Sequence, residues 1–576
     1  MGGFLLLPKS SRPFRQGLLP AARDQFRKSG LDGRETVETD QFVFDHYKKS
    51  GAQGHNLVSL GTDAFIASIG TFIFAGRIGI EALQAFAAEP DPERALSAAY
   101  GHFVLIVRKG DEIRILRDRL GAHPIYLDTE RQMATSSFLA AAGLAPKLTI
   151  ADHEVYEYIF NGVTLGDTTP FREITRLPIG RSLRFAREIE SIPQPGPALP
   201  APAPVGFEES LSQSFDALSR YLKIASDLFG DNIRMALSGG YDSRLLFAVF
   251  RSLSCSPSLF VYGGKSDSDV VVAEKIVAGE GLSLRHVDKT QRRPTPDEIP
   301  DIVARNFHVE DALPWSGIMT SDAENRARLE RSAGGALHVN GGGGEIFRNF
   351  FRLGDRPATA REFAWAFYCQ IDPAACTPLF SRGLYVDTIV GKVAGVLPDH
   401  GRSLPRVAIE SLYPNFRCRS WFGRENSINS RFGYSILPFY DHRIVEVGLR
   451  VPIPYKYVGN YEAALIRKAS PRIAAYGTNY GHDFSTDAPL KRTLVERLSY
   501  VWPPYLRQYH HALKARLRGN LAAPRILQPD ILRTLIDPSL PYMSRFVRLG
   551  RIRSLAQLER VYSLEYVFQK LNPGDR

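Results

Sequence analysis

Between Asp231 and Leu253 the chain reads DNIRMALSGGYDSRLLFAVFRSL, and this stretch limits the possible folds more than any other. Ile233, Met235 and Leu237 alternate with small or polar residues, the pattern of a short buried strand. Ser238-Gly239-Gly240 breaks the run, and Leu245, Leu246, Val249 and Phe250 then fall at helical spacing. A strand, a glycine turn and a helix in that order aim several backbone N–H groups and the positive end of a helix dipole at one point. That is an anion site. Glycine lacks the Cβ that would hold a phosphate off the backbone, and it admits positive φ. Ser238 and Ser243 offer hydroxyls, and Asp242 offers a carboxylate to a divalent cation held against phosphates. The plainer alternative is a glycine turn with a serine N-cap, so other segments must decide.

The surroundings of this stretch are those of a doubly wound sheet. Phe207 to Leu228 has helical periodicity, Pro257 to Gly264 reads as a second buried strand ending in glycines, Ser268 to Gly279 as a helix, and Leu282 to Val287 as a third strand. Such alternation predicts a parallel sheet with ligands at the carboxyl ends of its strands, where Ser238–Ser243 and Val261–Gly263 fall. Residues 1 to 190 read differently, as short strands divided by turns, with Phe103–Val107 and Ile113–Leu116 joined at Lys109-Gly110-Asp111. Between the halves, IPQPGPALPAPAPVGF cannot form a helix and reads as a semi-rigid linker over 191–207. The expected units are therefore 1–190, 208–490 and a basic helical extension over 491–576, with Leu558, Val561, Leu564 and Val567 on one helix face.

Several segments, in order, resemble one family. Ser238-Gly239-Gly240-Tyr241-Asp242-Ser243 looks like the SGGxDS pyrophosphate loop of the ATP pyrophosphatases, which include asparagine synthetase and β-lactam synthetase. Leu116 to Tyr126, with Gly101-His102-Phe103 ahead of it, is similar to the "RDxxGxxPLYY" and "GxF" signatures of the glutaminase domain in that family. Asp167 to Gly180 matches the segment closing that domain, and Leu437 to Arg443 is close to "PFLDHR". The resemblance implies an α/β protein, with an N-terminal αββα Ntn-hydrolase-like domain followed by a doubly wound ATP-pyrophosphatase domain with extra C-terminal helices. It also implies ATP and Mg²⁺ as cofactors. Leu237, Ser238, Gly239, Gly240, Asp242 and Ser243 would line the phosphates, Val261, Tyr262 and Gly263 would lie against adenine, and Gly343 would belong to a second glycine loop. Asp267 and Asp269 are read as caps of the next helix. Glu362 stands where the family supplies a catalytic glutamate, and Lys468 is a candidate catalytic cation.

Three departures shape the expected function. The family's nucleophilic cysteine is replaced by Gly2, and no cysteine precedes Cys255, so glutamine is not the expected nitrogen source. Arg117 and Asp118 are then read as a buried ion pair. Gly344 stands at the family's metal-binding aspartate, which leaves Asp242 and Glu345 as candidate ligands. The loop Ala475 to Asp483 has no lysine where synthetases place one, so Arg417, Arg419 or Lys468 would have to substitute. The expectation is an ATP-dependent amide ligase that adenylates a carboxylate and uses ammonia or a substrate amine. A lasso-type peptide cyclase, with a peptide as partner, and a non-catalytic nucleotide-binding scaffold are the alternatives; a homodimer is open.

Net charge of +11 raises nucleic acid as a partner, but no run of five or more basic residues occurs and none is expected. Four cysteines without CxxC spacing read as reduced thiols of a cytoplasmic protein. No apolar run reaches the ~18 residues of a membrane helix, and no export signal is read, so no membrane partner is expected.

Overall fold

The structure is a computed structural model that describes residues 2–574 except 52–53, 197–198, 200–204, 290–292, 398–402, 508 and 510–522. Part of the proline-rich linker and the basic stretch around Lys514 lie outside the described residues.

The amino-terminal half is a sandwich of two antiparallel six-stranded sheets. One is built around Gly3–Pro8 and Phe42–Tyr47, the other around Phe103–Lys109 and Glu112–Arg117. Alternation dictates the packing. Phe4, Leu6, Phe42, Phe44, Val104, Ile106, Ile113 and Ile115 point between the sheets and form a closed core. On the first sheet's outer face, Leu5 and Leu7 share a cluster with Phe26 of helix Leu19–Lys28 and Phe138 of helix Phe138–Leu144. On the second sheet's outer face, Ile66 and Leu105 share one with Leu83 and Phe86 of helix Gly79–Ala87. The expected four layers of helix, sheet, sheet and helix follow. The last strand of the sandwich, Ile189–Pro193, runs past the boundary expected at 190.

The second half carries a five-stranded, all-parallel sheet in the order Leu284–Val287, Ser258–Tyr262, Ile233–Ala236, Leu337–Val339, Tyr434–Ile436. Its first strand is central, and the winding reverses between it and Leu337–Val339. The loops after those two strands therefore border the crevice where such sheets bind ligands. Helix Phe207–Phe229 precedes the first strand, and helix Asp242–Ser252 follows it.

The two halves share one core rather than meeting at a tether. Asp311 accepts from Ser137 Oγ and from the amides of Phe138 and Leu139, while Arg424 and Arg431 approach its other side. Arg419 crosses to Asp167 at 2.5 Å and to the Leu177 carbonyl. The carboxy-terminal extension belongs to this seam too. Val561, Leu564 and Val567 of helix Leu555–Leu571 are fully buried, and Arg560 donates to the carbonyls of Ile159 and Trp315. Arg117 and Asp118 are buried but not as the ion pair expected. Arg117 donates to the carbonyls of Leu177, Pro178 and Arg181, and Asp118 accepts from the amides of Leu120 and Ala122. Arg419 is thereby spent on the domain seam and does not replace the missing loop lysine.

Candidate functional site

Ser238 to Ser243 links the central strand to helix Asp242–Ser252, at the reversal point of the sheet. The loop is closed by its own hydroxyls. Ser243 Oγ accepts from the Ser238 amide at 3.0 Å and lies 3.0 Å from Ser238 Oγ, which in turn takes the Gly240 amide at 3.3 Å. The Gly239 amide donates to the Asp269 carboxylate at 2.8 Å. Asp269 also accepts from Asn479 Nδ2 at 2.5 Å. An anion thus already sits on the anion-binding amide, and it belongs to the protein. The expectation that Asp269 only caps its helix is corrected, and Asn479 joins the site.

At Gly239 the constraint is contact rather than dihedral angle, and it falls on the end of the exposed Asn479 side chain. Neither Gly239 nor Gly240 has positive φ, but a Cβ on Gly239 would meet Asn479 Oδ1 at 2.1 Å. In the second loop Gly343 does take φ +101°. Gly341 lies against the Ser243 amide, where a Cβ would stand 3.3 Å away. The two glycine loops therefore face each other across the crevice.

Beside them is a group that the sequence reading did not assemble. Arg348 Nη2 donates to Asp242 Oδ1 at 2.6 Å, and its Nε lies 2.9 Å from Glu462 Oε2, close but not aligned for a hydrogen bond. Glu345 Oε1 is 3.6 Å away, and Tyr413 donates to Glu345 Oε2. One guanidinium thus serves three carboxylates. Burial, reinforced by Glu345, pushes the Asp242 carboxyl up to about 6 despite Arg348. Burial and the neighbouring Asp242 hold Glu462 well above the carboxylate range, and both Glu462 oxygens lack a hydrogen bond. The three acids hold Arg348 charged beyond its ordinary range.

These residues do not fit the divalent cation expected on Asp242 and Glu345. Arg348 already sits on both, and a side chain at Gly344 has no room, since a Cβ there would meet Asp242 Cγ at 2.5 Å. Among the described residues no group of three or more acids, histidines or cysteines is arranged to hold a metal.

The other expected residues divide. Tyr262 ends its strand at the crevice, with Lys289 Nζ 3.7 Å from its ring centroid and Arg331 donating to its hydroxyl at 2.6 Å. Val261 is buried, backbone included, in a strand paired on both sides, so the structure does not present it to the crevice. Gly263 takes φ +138° against Asp267, whose carboxylate accepts the Gly264 amide at 2.8 Å. Glu362 is not brought to the loop: it completes a capping box with Thr359 and pairs with Arg356 at 2.9 Å. Lys468 lies on the side of helix Asn460–Ala469 that faces helix Phe207–Phe229, 5.8 Å from the Phe215 ring. Tyr461 shares that side through Ser214 Oγ, and Glu462 points the other way, to Arg348. Arg417 is enclosed by Trp421, Phe367 and Phe350. The lysine-free loop is instead tied down by Arg244, which donates to the carbonyls of Tyr476 and Gly477 at 2.6 and 2.8 Å.

Signals for the missed residues existed. Glu462 is a lone acid between Tyr461 and Ala463-Ala464-Leu465-Ile466, a pattern that calls for a buried partner. Arg348 follows Glu345 at helical i, i+3 spacing.

A family model for the glutamine amidotransferase domain matches residues 81–194, so this part of the chain is a glutamine amidotransferase-like domain. Ahead of the first strand of the sandwich, Gly2 is closely packed. A Cβ there would stand 2.6 Å from both Leu31 Cδ2 and the Lys48 carbonyl oxygen. No curated protein matches the chain. Among solved structures, the allosteric regulatory enzyme of purine biosynthesis is similar at 11% identity, over 50% of this chain and 80% of its own, with a TM-score of 0.25. Glutamine phosphoribosylpyrophosphate amidotransferase from B. subtilis, complexed with ADP and GMP, is similar at 11% identity over 59% and 81%, with the same score. Both are weak overall likenesses.

Proposed function

We propose that this chain is an asparagine synthetase-like amide ligase that binds ATP in the crevice between the two glycine loops. One observation carries the reading. Ser238–Ser243 and Asn340–Gly344 meet at the reversal point of an all-parallel sheet, with the amides of the first loop held by groups that an incoming phosphate can replace. A substrate carboxylate attacks the α-phosphorus, the α–β anhydride bond breaks, and pyrophosphate takes the place of Asp269 on the Gly239 amide. An amine or ammonia then attacks the acyl carbon and AMP leaves. An amine of the substrate or free ammonia, rather than glutamine, is the nitrogen source in this reading. An amine carried on a peptide is one form of that substrate.

A second reading, nucleotide binding without turnover, is favoured by Arg348, which occupies the cation position among Asp242, Glu345 and Glu462. Pyrophosphate release with ATP and a panel of acids and amines separates the two. Because the carboxylates do not fit a metal, ATP binding measured by calorimetry is expected to survive EDTA. Abolition by EDTA, restored by Mg²⁺, would reverse that assignment, and no binding in either condition would sink both readings. Glutamine is expected to support no product at all.

A further inference from the structure

Helix Leu490–Val501 is seated with its apolar side outward, and none of its residues is buried. Three residues hold it to the body. Glu496 accepts the Val458 amide at 2.8 Å, Tyr500 lies 4.6 Å from the Tyr457 ring, and Arg492 covers the Tyr480 ring at 4.5 Å. At four-residue spacing these share one face of the helix. Leu490, Leu494, Leu498 and Val501 form the stripe on the opposite face, with Leu490 82% and Val501 77% exposed. Trp502 and Tyr505 continue the exposed surface. Lys491 and Arg497 are exposed within and beside it.

An amphipathic helix on a globular body normally buries such a stripe. Here polar residues dock the helix while leucines meet solvent. Charge indicates what covers them. Between 488 and 525 the sequence has eight lysines and arginines against a single acid, Glu496. A second copy would bring the same positive charge to the contact. An acidic lipid surface brings the opposite charge, an apolar layer for the leucines, and the interface at which Trp and Tyr settle. We infer that the chain docks through this face onto an anionic lipid bilayer, with helix Leu490–Val501 lying in the plane of the headgroups. The expectation of no membrane partner rested on the lack of a spanning run, and among the described residues no helix is long and apolar enough to cross a membrane. Lying on one leaflet needs no such helix.

The test is co-sedimentation of the full chain with phosphatidylcholine vesicles, with and without phosphatidylglycerol. Binding to the acidic vesicles alone, weakened by salt, is expected. Leu494→Glu with Leu498→Glu should lower the bound fraction roughly tenfold or more. Lys491→Glu with Arg497→Glu should also lower it while leaving the leucines in place. The fold of each variant is checked by circular dichroism. Tryptophan emission should shift to the blue on binding, and the shift should shrink in Trp502→Phe. Protein that stays in the supernatant, or that binds neutral and acidic vesicles equally, overturns the proposal. So does a dimer that the leucine variant splits while vesicle binding is absent throughout.

Discussion

Asp242 meets one cation, Arg348, and two other acids in a partly closed crevice, and its response to pH follows from that. Its carboxyl is held up to about 6, above its unfolded value of about 4, so the folded chain grips this proton harder than the unfolded chain does. The resulting stability is complete below the unfolded value and is lost as pH rises through about 6. Asp242→Asn removes the titrating group. Denaturant unfolding between pH 4 and 7 should therefore decline less in the variant than in the native chain. An equal decline would mean that burial does not control this carboxyl. Arg348→Ala strips the acids of their cation and should cost about 2 kcal/mol at pH 7, below the ~3–5 kcal/mol of fully buried pairs, because both side chains remain 22% exposed. That cost should shrink in acid, where Asp242 no longer carries charge. The turn at Ser238–Ser243 between strand and helix was legible in the sequence because the pattern that encodes it is contiguous. Arg348 and Glu462 were not, since each comes from a distant segment and only the folded crevice brings them together.

The elements were legible where local pattern and tertiary need agree. Helices Phe207–Phe229 and Ser268–Glu280 and the hairpin at Gly110 lie within a residue or two of their expected positions. The reading failed where one residue type serves two purposes. Glu362 has a carboxylate at the right place in the chain for catalysis, but its own helix needs a cap and takes it. The glycine loops are the reverse case: room for a phosphate was expected, and at Gly341 and Gly344 close contact with the protein's own Ser243 and Asp242 was found. Gly344→Ala should destabilise the chain by about 1–3 kcal/mol, since its Cβ meets the Asp242 side chain, whose carboxylate is held by Arg348. Thermal or denaturant unfolding checks this, and a neutral substitution would show that Asp242 moves freely. An aspartate at this position would face the same contact.

At the scale of the whole molecule the two halves form one folding unit. Chain 207–576 alone would lose the partners of Asp311, Arg419 and Arg560 at once. The sheet's last strand shows what else it would lose. Tyr434–Ile436 is an outer strand, and the amino-terminal half covers its open edge. Lys49 donates to the Gly433 carbonyl, the Ser435 amide donates to Thr71 Oγ1 at 2.9 Å, and His102 Nε2 lies 3.0 Å from the Leu437 carbonyl. An uncovered edge of that kind pairs with edges on other chains. Expression of 207–576 without its partner should give aggregates, and co-expression with 1–193 should return soluble complex; a soluble monomer of the isolated half would count against this. The amino-terminal half thus has a second role, as a permanent cover that keeps its neighbour's sheet from growing into a fibre.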